Sequence, residues 1–416
     1  MEFDAMVATS TLYSTPTSVV DAARGQALSE ETLKLAKELG DKTIECKVLW
    51  NLLLANLQES KPDQGIEYGE KSLTLARQLN LREQMAYTLS DLGWAYNMAC
   101  QLDEAEARLI EGASLWRELG NMTMLTNNLN AWVLNLFWSG KYEKALGIAQ
   151  ESLKISRATK NIWNQGWPHN LQGQIWIEYG EINKALDELE ISVRLAQEAN
   201  TPVYVAWFRS ILCTAYLAIG AVEKGVDLYR TTRLPNQDVP ISPARTSTFV
   251  GYALCEIATG QLDLAASTLD ACTLNNSIWD YALKLTQCRL ALARKDPGQA
   301  ISIADALVAD DRPFKLGQYL PEALFLQGHA HQMNGEQDLA KAAFEQARLA
   351  AETLGSRRLL WQIFAALAGI EPDPQKAVTF KAHGCETVQF IADHMKSDEF
   401  RSAFLQLPDV RVLMAS

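Results

Sequence analysis

The sequence predicts an all-α solenoid of about nine stacked helix-turn-helix units, ended by a C-terminal helical cap. Three observations carry this reading: a unit of 40 residues that recurs along most of the 416-residue chain, turn residues at two fixed places in each unit, and apolar residues three or four apart between them.

The unit is plainest at Gly-Lys-Tyr-Glu-Lys-Ala (140–145), Gly-Glu-Ile-Asn-Lys-Ala (180–185), Gly-Ala-Val-Glu-Lys-Gly (220–225) and Gly-Gln-Leu-Asp-Leu-Ala (260–265), each beginning 40 residues after the last. It extends back through Cys-Gln-Leu-Asp-Glu-Ala (100–105) to Gly65 and Gly25. Forward, after a step shortened to 35, it reaches Ala300 and Ala340. The glycine stops one helix, since the left-handed backbone that ends a helix costs glycine no steric penalty. The small residue five positions on lies where two helices must approach closely. Fifteen residues later a second stop follows, at Gly40, Asn80, Gly120, Asn200 and Gly355. Before the first break run Leu89, Leu92, Gly93 and Tyr96, and after it Ala105, Leu109 and Gly112, each set forming one helical stripe.

Residues 1–20 read as a partial repeat or the cut edge of a longer chain, 21–356 as the solenoid and 357–416 as capping helices. Three prolines between Arg230 and Arg245 forbid a regular helix and predict an irregular loop over 231–244. The shortened unit around Leu274 to Pro297 alters the curvature without starting a new domain.

Composition narrows the function classes. Acidic residues outnumber basic ones 50 to 38, and no stretch gathers the Lys/Arg cluster that a phosphate backbone requires, which argues against direct nucleic-acid binding. The chain shows no signal-peptide pattern and no run of about 18 apolar residues, so no membrane role is expected. Seven scattered cysteines without a CxxC pair read as reduced core thiols in the cytoplasm. None of the five histidines has a convincing metal partner set: His329 and His331 point to different helix faces, and His383-Gly-Cys385 lacks a second pair. No phosphate-binding, dinucleotide or nucleophile-elbow motif is present. The expectation is a chain without cofactor, metal or catalytic residues, not an enzyme.

Leu89-x-x-Leu92-Gly93-x-x-Tyr96 followed by Ala105-x-x-x-Leu109 resembles the tetratricopeptide (TPR) repeat, which pairs Trp-x-x-Leu-Gly-x-x-Tyr with Ala-x-x-x-Phe. Gly173, Trp176, Ala185 and Leu189 are similar, as are Gly328, Ala340 and Phe344, although the unit exceeds the usual length of about 34 residues and most Trp and Pro positions are lost. The resemblance covers about Ala22 to Gly355 and implies a right-handed superhelical solenoid of TPR-like repeats. The longer unit resembles the sensor regions of bacterial signalling proteins such as LuxR-type activators, AAA-type ATPases and nucleotide cyclases. The segments Leu354-Gly-Ser-Arg-Arg-Leu-Leu-Trp-Gln-Ile, Ile391-Ala-Asp-His and Phe404-Leu-Gln-Leu-Pro-Asp-Val resemble their terminal cap.

In such a stack the first helix of each hairpin lines the concave side, and positions one unit apart become neighbours. This places Tyr87, Trp94 and Asn97, then Asn127 and Asn130, then Trp167, Asn170 and Gln174, then Trp207 and Ser210 on one inner face. Amides pair with peptide backbone or sugar hydroxyls, and Trp offers a flat apolar surface. The same residues also fit plain packing for the Trp and a solvated face for the Asn, but Asn is a poor helix former and its recurrence lacks a stability explanation at this level. Arg289, Glu322 and His329 fall on the same face and also fit an ordinary charged surface. The leading functional expectation is a protein-interaction or sensor module that captures a protein or peptide segment in its groove. Alternatives are sensing of a small ligand such as an oligosaccharide, and a self-assembling scaffold.

Overall fold

The helices stop where the sequence places its stop residues, and they pair as the repeat requires. The computed structural model describes residues 2–15, 20–232, 243–272, 277–309 and 317–415. The expected irregular loop over 231–244 therefore lies largely outside the described residues, as does the start of the shortened unit.

Nine hairpins follow one another among the described residues: α1 (Glu2–Ser14) with α2 (Ala22–Leu39), α3 (Lys42–Gln58) with α4 (Pro62–Gln78), α5 (Arg82–Met98) with α6 (Leu102–Leu119), α7 (Met122–Trp138) with α8 (Tyr142–Ala158), α9 (Ile162–Glu178) with α10 (Ile182–Glu198), α11 (Pro202–Ala218) with α12 (Val222–Thr232), α13 (Pro243–Ala258) with α14 (Leu262–Asp270), α15 (Trp279–Ala293) with α16 (Pro297–Val308), and α17 (Leu320–Met333) with α18 (Gln337–Leu354). Helix α1 supplies the first half of the first hairpin. At the other end α19 (Arg357–Ile370) and α20 (Pro374–Asp393) pair as a tenth hairpin, and the short α21 (Asp398–Leu405) and α22 (Pro408–Met414) close the stack. No strand occurs among the described residues.

The turns have a single backbone mechanism. From residue 40 to residue 220 a residue with positive φ recurs every 20 positions, supplied by Gly40, Gly120, Gly140, Gly180 and Gly220, by Asn80 and Asn200, and by Ser60, Cys100 and Lys160. At Gly180 the cap N–H returns to the Ile177 carbonyl and the next N–H to the Trp176 carbonyl, so the last carbonyls of the helix are satisfied. The small residues behave as the repeat demands. Ala105, Ala145, Ala185, Ala265, Ala300 and Ala340 are fully buried, and Gly25, Gly65 and Gly225 are buried at the same position of their hairpins.

The stack curves tightly enough for one superhelical turn to rest on the next. The Ile278 N–H donates to the Met98 carbonyl at 2.9 Å, the Gln318 N–H to the Trp138 carbonyl at 3.4 Å, and the Arg357 guanidinium to the Tyr179 carbonyl at 3.1 Å. These partners lie about 180 residues apart, between four and five units. Each contact brings the carbonyl-rich end of an inner helix against the start of a helix one turn later, so unsatisfied groups and opposite ends of helix dipoles meet. The turn glycines mark these seams. A Cβ on Gly140 would meet Leu354 at 2.5 Å, on Gly180 Ile391 at 2.8 Å, and on Gly220 the backbone oxygen of Ala403 at 2.9 Å, whereas Gly120 and Gly260 have open space.

Two substitutions test this. Gly220 and Gly260 share nearly the same φ, 73° and 75°, so both Ala variants carry the same backbone strain of about 1 kcal/mol. Only Gly220→Ala also collides across the seam; it is expected to lower the melting temperature further and to raise amide exchange in α21, readable by hydrogen-exchange mass spectrometry. Conversely, Lys160→Gly relieves a non-glycine φ of 54° and is expected to stabilise by about 0.5–1 kcal/mol in urea melts.

Candidate functional site

Curling the stack into turns leaves a cavity of about 970 Å³ along the inside, walled mainly by the first helices of successive hairpins from α7 to α19, with Leu407, Pro408 and Asp409 also on its lining. One side is aromatic. Trp167 packs edge-on against Trp207 at 4.9 Å between ring centroids, Trp207 against Trp279 at 5.2 Å and Trp279 against Trp138 at 5.1 Å, and all four line the cavity. The chain of rings continues beyond the cavity through Trp94, which meets Trp167 at 6.5 Å.

The other side is ionic and internally neutralised. Glu322 accepts from Arg289 at 2.7 Å and from Arg358 at 3.0 Å, while Arg358 also donates to Glu178 at 2.7 Å and the Ser356 hydroxyl donates to the same Glu178. Burial opposes the charge on Glu322, but the two guanidinium groups outweigh it and hold its pKa down to about 2. Burial works against the Arg358 cation too, and the two carboxylates more than compensate, so its pKa is raised. Since Glu178 ends α9 and Arg358 begins α19, the network also ties one superhelical turn to the next. Burial lowers the pKa of the adjacent His329, which leaves its imidazole neutral near pH 7.

Two polar atoms of lining residues have no protein partner: the indole N–H of Trp279, a residue only 6% exposed, and the amide oxygen of Gln318. Both atoms are sealed from solvent behind the wall, so they are unmet hydrogen-bonding groups of the interior and not groups offered to an occupant.

Of the residues placed on the inner face by the repeat, Trp167, Asn170, Gln174, Trp207 and Ser210 line the cavity, together with Arg289, Glu322 and His329. Tyr87, Trp94, Asn97, Asn127 and Asn130 do not. Tyr87 packs at 5.4 Å from Trp50, nearer the N-terminal end, and Asn127 is exposed.

Three of the four asparagines, Asn97, Asn130 and Asn170, have a stability explanation after all, which corrects the expectation from helix propensity. Pro168 stands inside α9 and has no N–H for the carbonyl of Asn164, four residues earlier. Asn130, 7% exposed, donates to that carbonyl at 3.1 Å and accepts from Ser152 at 2.6 Å. Asn97, fully buried, donates to the Ala131 carbonyl at 3.2 Å and accepts from Asn135 at 2.8 Å. Asn170 accepts from Gln174 at 2.9 Å and donates to Ser192 at 3.4 Å. These amides stitch neighbouring helices together. Ser210 likewise donates to the Trp207 carbonyl at 2.7 Å.

Four important lining residues escaped the sequence reading. Trp138 and Glu178 share one register of the repeat but differ in type, Trp279 lies within the shortened unit, and Arg358 lies in the cap. All seven cysteines are free thiols. Among the described residues no group of three or more His, Cys, Asp or Glu is placed to hold a metal ion, and no helix is long and apolar enough to cross a membrane.

No family model matches the chain, and no curated protein matches it. Among solved structures it is similar to the APC/C hetero-tetramer Cut9-Hcn1, at 12% identity over 97% of this chain and 87% of that chain with a TM-score of 0.41. It is also similar to the TPR domain of P58(IPK), at 13% identity over 95% of this chain and 100% of that chain with a TM-score of 0.24. Likenesses this distant say nothing of what the chain binds.

Two expected outcomes check the site's construction. Asn130→Ala should cost about 2 kcal/mol by stranding the Asn164 carbonyl. In a Pro168→Ala background, where residue 168 regains an N–H, the loss should shrink by about 1 kcal/mol in a double-mutant cycle. Glu322→Gln should cost about 3 kcal/mol at pH 7 because it leaves buried guanidinium charge uncompensated. Since the folded carboxyl has the lower pKa, this stabilisation is complete above the unfolded value of 4.5 and fades as pH falls toward 2. The gap between wild-type and Glu322→Gln melting temperatures should narrow over that window.

Proposed function

We propose that the chain is a binding module, not a catalyst, which takes a segment of a partner protein into the lumen of its superhelix. One observation carries this reading above the others: the aromatic wall runs through the cavity and on past it, from Trp279 and Trp207 through Trp167 to Trp94. A surface longer than its cavity suits an extended chain better than a compact molecule. Asn170 and Gln174 beside Trp167, and Ser210 beside Trp207, bring amide and hydroxyl groups to the same wall, the chemistry that pairs with peptide backbone. The arginines and glutamates opposite are already paired with one another, so the part of the occupant that faces them is expected to be uncharged. The TPR resemblance of the repeats supports an interaction role. The resemblance of the 40-residue unit to bacterial sensor regions supports a place in a signalling protein, where occupancy of the lumen would reset the stacking of its turns.

A second reading has its own support. A cavity of about 970 Å³ lies at the upper end of the size of small-molecule sites, and Asn170, Gln174 and Ser210 beside the Trp167 and Trp207 rings also suit a neutral polyhydroxyl ligand such as an oligosaccharide.

A photoreactive benzoylphenylalanine at Thr214, inside the lumen, and at Lys154, exposed on α8, separates the readings. A polypeptide adduct at position 214 and not at 154, abolished by Trp207→Ala, is the expected result in extract of the source cell. Saturable quenching of Trp fluorescence by a neutral oligosaccharide, with no polypeptide adduct, would favour the second reading; neither response would leave a scaffold with an empty lumen.

A further inference from the structure

Beyond the cavity, α5 carries a carboxylate that the fold leaves without a cation. Asp91 lies on the inner stripe of α5, one turn after Tyr87 and one turn before Trp94, and all three are half-buried. Its Oδ2 accepts from the indole N–H of Trp50 in α3 at 2.7 Å, and the Trp50 ring leans on Tyr87 at 5.4 Å and 44°. Its other oxygen accepts from no described group and is not sealed from solvent. One unit along, the same register of α7 is Ala131, too short to reach across.

The contrast with the ionic side of the lumen is sharp. There Glu178 and Glu322 each hold a guanidinium, whereas Asp91 forms no ion pair with any described residue, and Lys47, in the register of Tyr87, is exposed and unattached to it. Burial accordingly pushes the Asp91 pKa up to about 6, with the Trp50 hydrogen bond pulling it back only in part. Burial, then Glu83 and then Asp91 raise the pKa of Tyr87, so the field here is negative on a chain of net charge −12. A desolvated carboxylate, held by an indole N–H and flanked by Trp and Tyr rings, is the arrangement that attracts an organic cation.

We infer that Asp91, with Trp50, Tyr87 and Trp94, is the recognition site for an Arg or Lys side chain of the protein segment that the lumen takes up. The inference rests on the peptide-binding reading and adds to it a sequence requirement: a basic residue just outside the stretch that fills the cavity. The rings hold the cation's flat or aliphatic part and the free oxygen of Asp91 accepts its N–H.

The test follows the indole N–H resonance of Trp50, identified by its loss in Trp50→Phe, in full-length protein labelled with ¹⁵N-Trp. The probes are acetyl-Gly-Arg-Gly-amide, the neutral acetyl-Gly-citrulline-Gly-amide, and ethylguanidinium. Expected are a saturable shift with the Arg tripeptide, at least about tenfold weaker binding of the citrulline probe and of ethylguanidinium, and a similar loss in Asp91→Asn. Asp91→Asn keeps the acceptor for Trp50 and removes a desolvated charge, so folding should survive. Ala131→Lys offers an internal cation and should also block the peptide. Trp207→Ala, inside the lumen, should leave the tripeptide's affinity unchanged, which separates failure of this site from failure of the lumen. Equal binding of the citrulline probe, undiminished binding by Asp91→Asn, or ethylguanidinium binding as tightly as the peptide would overturn the assignment.

Discussion

The architecture depends on one recurring contact between partners about 180 residues apart, where the end of an inner helix meets the start of a helix one superhelical turn later. Within a hairpin stack, each unit is held only by its neighbours, and curvature alone does not close a lumen. Closure comes from the carbonyls of Met98 and Trp138 accepting the N–H groups of Ile278 and Gln318, from Arg358 bridging Glu178 and Glu322, and from Asn183 meeting His394 and Lys396. Because these seams join groups that helix ends leave unpaired, their loss would strand several of them at once.

The lumen follows from the seams. With the second turn resting on the first, the inner faces of α7 to α19 enclose a space that an open solenoid would present as a shallow groove. Its aromatic side is built by rings on successive helices meeting edge to edge, and its ionic side does two jobs, neutralising the interior and tying α9 to α19. Cavity lining and shape are therefore coupled in one set of residues: an occupant that moved Arg358 would act directly on the contact between turns.

Much of this was legible in the repeat. The buried small residues from Gly25 to Ala340, the left-handed stops at Gly40, Asn80 and Gly120, and the inner register of Trp167 and Trp207 all follow from the 40-residue period, because they are properties of one unit and its neighbour. What was not legible is whatever joins distant units. The number of units per turn is fixed by small angles that no residue type announces, so Glu178 and Arg358 could not be paired beforehand. Asn97 and Asn130 looked like ligand contacts because only coordinates show that Pro168 frees a carbonyl for one and that Ala131 offers a carbonyl to the other. Trp279 was hidden by the shortened step, which moves it out of the register that predicts Trp207. Lys160 and Cys100 carry left-handed backbone with no residue-type signal.

The most direct test of the closed superhelix is residue-resolved amide exchange at two first-turn positions that the repeat makes equivalent, Asn183 in α10 and Asp103 in α6. First-turn amides of a helix ordinarily have no partner, and Asp103 has none, whereas Asn183 donates to the His394 carbonyl at 3.1 Å, across the seam. The closed structure predicts strong protection of Asn183, and of Ile278 at its own seam, with rapid exchange of Asp103. Equal, rapid exchange at all three would mean that the turns do not stack and that the lumen does not exist in solution.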